Sequence, residues 1–280
     1  MITEYFDISF EINKAITKKY STSFSLGILA FAPEYRNPIY GIYGFVRIAD
    51  EIVDTFHGFD KRKLLNNFRE DTHNAIKEGI STNPVINAFQ EVVRKYNIEV
   101  ELIDSFLDSM EMDIEISSHG RLSYDKYVYG SAEAVGLMCL KVFCSGNETE
   151  YNKLKYSAKK LGSAFQKVNF LRDINSDLKE RGRIYLPDTD DSSFITDERK
   201  KLLENEVEEE FKDALEGIKK LPAGVKLGVY SAYIYYLMLF KKIKKTSIKE
   251  LFARRIRIPN WLKAALFVKS YVEVKLEKVS

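Results

Sequence analysis

Residues 163–187 read SAFQKVNFLRDINSDLKERGRIYLP, and the fold follows from how that stretch is patterned. Leu161, Ala164, Phe165 and Val168 recur at helical spacing. Through this apolar pattern runs a polar stripe: Gln166, Asn169 and Asp173 follow spacings of three and four, and Asp177 adds one more turn. One long helix therefore carries two carboxylates on one face, with Arg172 next to the first.

Residues 43–56, YGFVRIADEIVDTF, repeat the arrangement. Ile39, Ile42, Tyr43, Val46 and Val53 imply a helix, and Arg47, Asp50, Glu51 and Asp54 are set into it. Asp50 and Asp54 project from one face, one turn apart, and two like charges there repel unless a cation joins them. Carboxylate oxygens are hard ligands suited to Mg²⁺, which is usually held by one or two protein carboxylates together with substrate phosphates. Two facing DxxxD helices could hold metal ions that bridge a diphosphate. A single DxxxD is common on a solvated helix face; two of them, each beside an Arg and embedded in apolar helix, favour a functional reading.

The rest of the chain supports long helices. Of 280 residues 45% are hydrophobic and 30% charged, an ordinary globular composition, and no proline occurs between Val85 and Tyr185. Breaks are expected at Pro33 to Pro38, around Gly58, at Ser81 to Pro84, Ser118 to Arg121, Ser145 to Glu148, Pro187 to Ser193 and Pro222 to Gly224. No repeat, low-complexity tract or linker divides the sequence, so residues 1–280 read as one helical domain. Two cysteines, Cys139 and Cys144, exclude a disulfide scaffold and need only apolar packing, and His57, His73 and His119 are too scattered for zinc.

The N-terminus lacks the features of an export signal, which gives the expectation of a cytosolic protein. No uncharged apolar window reaches the roughly 18 residues of a spanning helix, and Leu227 to Phe240 reads as a buried helix. Charge is segregated: residues 188–216 hold 12 acids and 4 bases, residues 241–280 hold 12 bases and 3 acids. Asp188 to Glu210 reads as a hydrated loop and an exposed helix start. The small residues of YGSAEAVG (129–136) allow either close helix approach or a local kink.

YGFVRIADEIVDT (43–55), YGSAEAVGLMCLKVF (129–143), FQKVNFLRDINSDLKERGRIYLP (165–187) and ELFARRIRIPNWLKAAL (250–266) resemble, in order and separation, the successive signatures of the squalene/phytoene synthase family. The resemblance runs from about Tyr20 to Lys269 and is strongest to the bacterial phytoene synthases of carotenoid pathways. It implies an all-α isoprenoid synthase bundle, with the two aspartate helices facing each other across a central cavity. The implied reaction is a head-to-head condensation of two geranylgeranyl diphosphates. The donor ionises, a cyclopropylcarbinyl diphosphate forms, and a second ionisation, rearrangement and proton loss give a C40 carotenoid precursor.

Carried over by the resemblance, the catalytic residues are Asp50, Asp54, Asp173, Asp177 and Tyr127. Asp50, Asp54, Asp173, Asp177 and Asn169 would bind Mg²⁺, with Mn²⁺ as an alternative, and Gln166 would complete the second cluster. Arg47, Arg172 and Arg255 would pair with phosphate oxygens. Phe24, Tyr43, Tyr127, Phe165 and Tyr236 match cavity positions where aromatic faces shield a carbocation, with Tyr127 and Tyr236 as polar contacts; Tyr20 receives no role.

The nearest rival is the same chemistry on farnesyl diphosphate, giving dehydrosqualene, or squalene if a nicotinamide reduces the last cation. No dinucleotide fingerprint is visible, and no NADPH requirement is expected. A noncatalytic assembly factor would have no reason to keep four carboxylates with their Arg and Asn companions. Nucleic-acid binding is disfavoured because the C-terminal bases are interspersed with apolar residues. The expectation there is peripheral contact with the inner face of a membrane, through lysines near Ile256, Ile258, Trp261, Leu262, Leu266 and Phe267. The oligomeric state is left open.

Overall fold

Helices follow one another along the residues described by the computed structural model, 2–115, 120–187, 196–276 and 278–279. They are α1 (Ile2–Tyr20), α2 (Thr22–Leu29), α3 (Pro33–Asp54), α4 (Lys61–Glu78), α5 (Pro84–Tyr96), α6 (Val100–Glu115), α7 (Arg121–Val128), α8 (Val135–Phe143) and α9 (Glu148–Ser176), then α10 (Asp197–Lys219), α11 (Ala223–Lys244), α12 (Ile248–Ala253) and α13 (Asn260–Lys275). Short polar side chains start many of them. Ser21, Asp60, Asn83, Asn147, Thr196 and Ser247 each accept a first-turn backbone N–H, where no intrahelical partner exists.

Two wider π-helical turns interrupt the pattern, at Tyr129–Ala134 between α7 and α8 and at Asp177–Arg181 after α9. The first lies in the YGSAEAVG stretch and combines both expectations, because it is a local distortion and also a close approach. A Cβ on Gly130 would lie 2.1 Å from the Ser105 carbonyl oxygen, and one on Gly162 would lie 2.7 Å from that of Ala132. Glycine is what lets α6 and α9 press onto the turn.

An aromatic stack anchors α3. Phe45 lies parallel to Phe89 of α5 with centroids 3.9 Å apart, and 5.2 and 5.7 Å from Phe68 of α4 and Phe106 of α6. Removing such a buried ring costs about 3–5 kcal/mol. Helix α9 packs on α8, α10, α11, α12 and the first π turn. The two DxxxD segments thus belong to two differently anchored parts of the bundle.

Several expectations are corrected. The chain does not break at Pro38: α3 starts at Pro33 and runs through Pro38, which is buried in its second turn. An interior proline costs about 3 kcal/mol; burial of Ile39, Tyr40, Ile42 and Phe45 just beyond it offsets this. Helix α10 starts exposed, at Asp197 and Glu198, as expected, but is not exposed throughout, since Lys200, Leu203, Glu204, Val207 and Glu210 are buried, with α9 as neighbour; residues 188–195 of the expected loop, and His119, lie outside the described residues. Helix α11 is longer than the Leu227 to Phe240 reading. By length and composition it could cross a membrane, and here it packs against α2, α9, α10 and α13.

On the C-terminal segment Ile256, Ile258 and Leu266 are core residues, 3%, 4% and 6% exposed. Of the expected apolar residues Trp261 and Phe267 are exposed, and Val268, Val272 and Leu276 continue from Trp261 at helical spacing as an outward apolar stripe.

Candidate active site

Asp50 and Asp54 occupy the last turns of α3; Asp173 lies near the end of α9, and Asp177 opens the π turn that follows. Arg181, one turn further, brings the two motifs together. Its Nη1 donates to Asp177 Oδ1 at 2.7 Å, and its Nε lies 3.3 Å from Asp54 Oδ2. Arg183 adds a second link, Nη1 donating to Asp54 Oδ1 at 2.8 Å. The expected facing arrangement of the aspartates is therefore present, joined through arginines.

Asp173 is gripped twice. Arg172 donates from Nε and Nη2 at 2.9 and 2.5 Å, and Arg255 pairs through Nε and Nη2 at 2.7 and 3.1 Å. Arg47 pairs closely with Glu51, lies 3.9 Å from Asp50, and covers the Tyr20 ring at 4.4 Å. The three arginines expected to meet phosphate stand at the site, engaged with its carboxylates.

Negative charge is concentrated here beyond what the arginines balance. Enclosure by protein, with Asp54 and Asp113 nearby, pushes the Asp50 carboxyl up to about 7 against the opposing pull of Arg47 and Arg181. Asp177 is likewise pushed up to about 7, by burial first and then by Asp173 and Asp54.

Two stacked aromatic pairs lie near the carboxylates. Phe24 of α2 stacks on Tyr43 of α3 at 4.7 Å, and Phe165 of α9 on Tyr236 of α11 at 4.0 Å. Val46, Cys139, Leu161, Phe165 and Tyr236 pack against the core while remaining only partly buried. Cys139 is nonetheless so enclosed that its thiol is pushed up to about 12. A polar chain crosses from the second of these pairs to the second motif: Tyr236 Oη donates to Asn169 Oδ1 at 3.2 Å, Asn169 Nδ2 to Gln166 Oε1 at 3.5 Å, and Gln166 Nε2 to Ser131 Oγ at 3.2 Å.

Tyr127 is placed differently from a cavity contact. It is 4% exposed, and its hydroxyl donates to Asp113 Oδ2 at 2.9 Å. Asp113, Arg181, Arg183 and Tyr185 were not singled out by the sequence reading. The two arginines and the tyrosine lie within RGRIYLP, so two bases directly after the second DxxxD were the available signal. For Asp113 the signal was its place in the core-facing stripe of Leu102, Phe106 and Met110.

The donor set suits a divalent cation brought in with an anion. Among the described residues no group of three or more His, Cys, Asp or Glu side chains could by itself hold a metal ion. One or two hard carboxylate oxygens per ion, completed by phosphate and water, is the usual coordination of Mg²⁺, and the carboxylates of Asp50, Asp54, Asp173 and Asp177 are of the chemical type that fits it.

The family model for squalene/phytoene synthase matches residues 17–262. A phytoene synthase from Arthrospira platensis is 26% identical over 91% of this chain and 90% of its own length. The chloroplastic phytoene synthase 3 of Zea mays is also 26% identical, over 92% of this chain, which spans 64% of that longer protein. Among solved structures, a dehydrosqualene synthase in complex with ligand superposes with a TM-score of 0.81 at 21% identity, covering 97% of this chain and 98% of the other.

Proposed function

This chain belongs to the squalene/phytoene synthase family, a family of prenyltransferases that condense prenyl diphosphates, and from that premise we propose that it joins two geranylgeranyl diphosphates head to head, without a reductant, into a C40 hydrocarbon of the phytoene type. The observation that carries the proposal is the meeting of the two DxxxD motifs through Arg181, near two stacked aromatic pairs. The curated relatives named phytoene synthase support the C20 substrate.

Mg²⁺, or Mn²⁺, would be held by Asp50 and Asp54 on one side and by Asp173, Asp177 and Asn169 on the other, and would neutralise the charge that grows on departing diphosphate. Arg47, Arg172 and Arg255 supply fork-shaped donors for the same oxygens, suited to bidentate pairing. Gln166, bonded to Asn169, holds that amide in place, and Tyr236 orients it from the other side. The stacked faces of Phe24 with Tyr43 and Phe165 with Tyr236 offer quadrupoles to a carbocation and exclude water from it. Tyr127 acts from behind, through Asp113.

The Trp261, Val268, Val272 and Leu276 stripe, with Lys263, Lys269 and Lys275 on the same helix, supports a second part of the proposal: peripheral contact with an anionic membrane, into which a water-insoluble product would pass. Incubation with geranylgeranyl diphosphate and Mg²⁺ in the absence of nicotinamide tests the reaction, a C40 hydrocarbon being the expected product.

A further inference from the structure

Asp113 lies on α6, outside both DxxxD motifs, and is 8% exposed. Tyr185 Oη donates to its Oδ1 at 2.6 Å and Tyr127 Oη to its Oδ2 at 2.9 Å. Arg183 Nη1 stands 3.6 Å from Asp113 Oδ1, and the same nitrogen donates to Asp54 Oδ1 at 2.8 Å. Arg183 Nη2 donates to the Val53 carbonyl at 3.4 Å, and Nη1 also donates to the Tyr185 hydroxyl at 3.2 Å. One guanidinium, 9% exposed, is thus shared by two carboxylates, one facing the site and one facing the core.

The charge arithmetic gives this sharing a consequence. Arg183 and Asp54 alone would make a neutral pair in a poorly solvated place, where attraction is strong, and Asp54 would have little charge left for an incoming cation. With Asp113 behind the guanidinium the group of three carries one net negative charge. Both Asp113 oxygens are already filled by tyrosine hydroxyls and turned from solvent, so the surplus falls on Asp54, whose other oxygen meets Arg181 at 3.3 Å, a guanidinium already paired with Asp177. A buried ion pair needs no third charge to be satisfied, and burying one is unfavourable in itself.

We propose that Asp113 is a positioning residue that keeps Asp54 available to a divalent cation by drawing the charge of Arg183 towards the core; this rests on the reading of Asp54 as a cation ligand. Tyr127 and Tyr185 share the role, because their hydroxyls hold the Asp113 carboxylate in the orientation that faces Arg183.

The test is binding of Mn²⁺ in the presence of inorganic diphosphate at pH 8, followed by the loss of the free-ion electron paramagnetic resonance signal, alongside thermal unfolding. Asp113→Asn, equal in size, is expected to weaken Mn²⁺ binding about 10- to 100-fold, the usual effect of removing a group behind a metal ligand. The double variant Asp113→Asn with Arg183→Gln, which removes both charges, is expected to recover most of that loss. Parental Mn²⁺ affinity in Asp113→Asn, with only a lower melting temperature, would overturn the proposal, as would a double variant no better than the single one. Should Asp113→Asn fail to fold, Arg183→Gln alone is expected to bind Mn²⁺ at least as tightly as the parent, and weaker binding contradicts the proposal. Failure of the parent to bind Mn²⁺ with diphosphate would instead remove the cation reading of Asp54, and the proposal with it.

Discussion

Arg181, in the π turn that ends the second aspartate helix, stands 3.3 Å from Asp54 at the end of the first. A guanidinium lies where two carboxylate-bearing elements approach, and it pairs with Asp177 as well. The molecule therefore supplies a cation of its own to a site with too much negative charge, and the functional reading turns on whether divalent ions and diphosphate take over that balance.

Asp50→Asn and Asp173→Asn are each expected to lower turnover by at least about a hundredfold, the order seen when a principal electrostatic stabiliser is lost. Their stabilities should diverge. Asp50→Asn relieves repulsion and should melt at or above the parent temperature, whereas Asp173→Asn strands Arg172 and Arg255 and should melt lower. Turnover and calorimetry on the same preparations check both; full activity in both variants would remove the motifs from the mechanism.

The raised carboxyls also set a pH dependence. Asp50 and Asp177 have folded values of about 7, above the ordinary value of 3.8. The folded chain then binds more protons than the unfolded chain between those values, and metal-free stability declines as pH rises through that window. In chelator, melting temperature should fall from pH 5 to pH 7.5, less steeply in Asp50→Asn, while Mn²⁺ affinity rises over the same range. Equal slopes in parent and variant would contradict the assignment.

Gly130→Ala tests the packing that shapes the site. The added Cβ would meet the Ser105 backbone 2.1 Å away, and a carbonyl cannot swing aside as a side chain can. Destabilisation of about 1–3 kcal/mol is expected from such overpacking, measured by urea unfolding; an unchanged midpoint would mean that α6 is free to move.

The α13 stripe predicts cosedimentation with anionic liposomes, weakened by salt and by Trp261→Ser with Val268→Ser, both exposed positions. Binding indifferent to lipid charge and to salt would eliminate the electrostatic form of the idea.

The DxxxD motifs were legible because their members are neighbours on one helix, where spacing alone fixes geometry. The breaks at Ser81 to Pro84 and Ser145 to Glu148 were legible for the same local reason, and Asn83 and Asn147 within them start α5 and α9. Asp113 was not, because its partners Tyr127, Tyr185, Arg183 and, through that arginine, Asp54 come from other elements, and it lies among Asp104, Asp108, Glu111 and Glu115, which hide one buried acid among half-buried and exposed ones. Pro38 misled because proline is a local signal, and burial of the residues around it is decided by the whole bundle. The C-terminal apolar residues were recognised, but which of those on α13 face inward depends on its packing against α11, which no local pattern shows.

The most direct test is product identification from an equimolar pool of C15 and C20 prenyl diphosphates with Mg²⁺ and no reductant, run on the parent chain and on Asp50→Asn. A C40 hydrocarbon from the parent, absent from the variant, is the predicted result. A C30 product alone, or no condensed product, would contradict it.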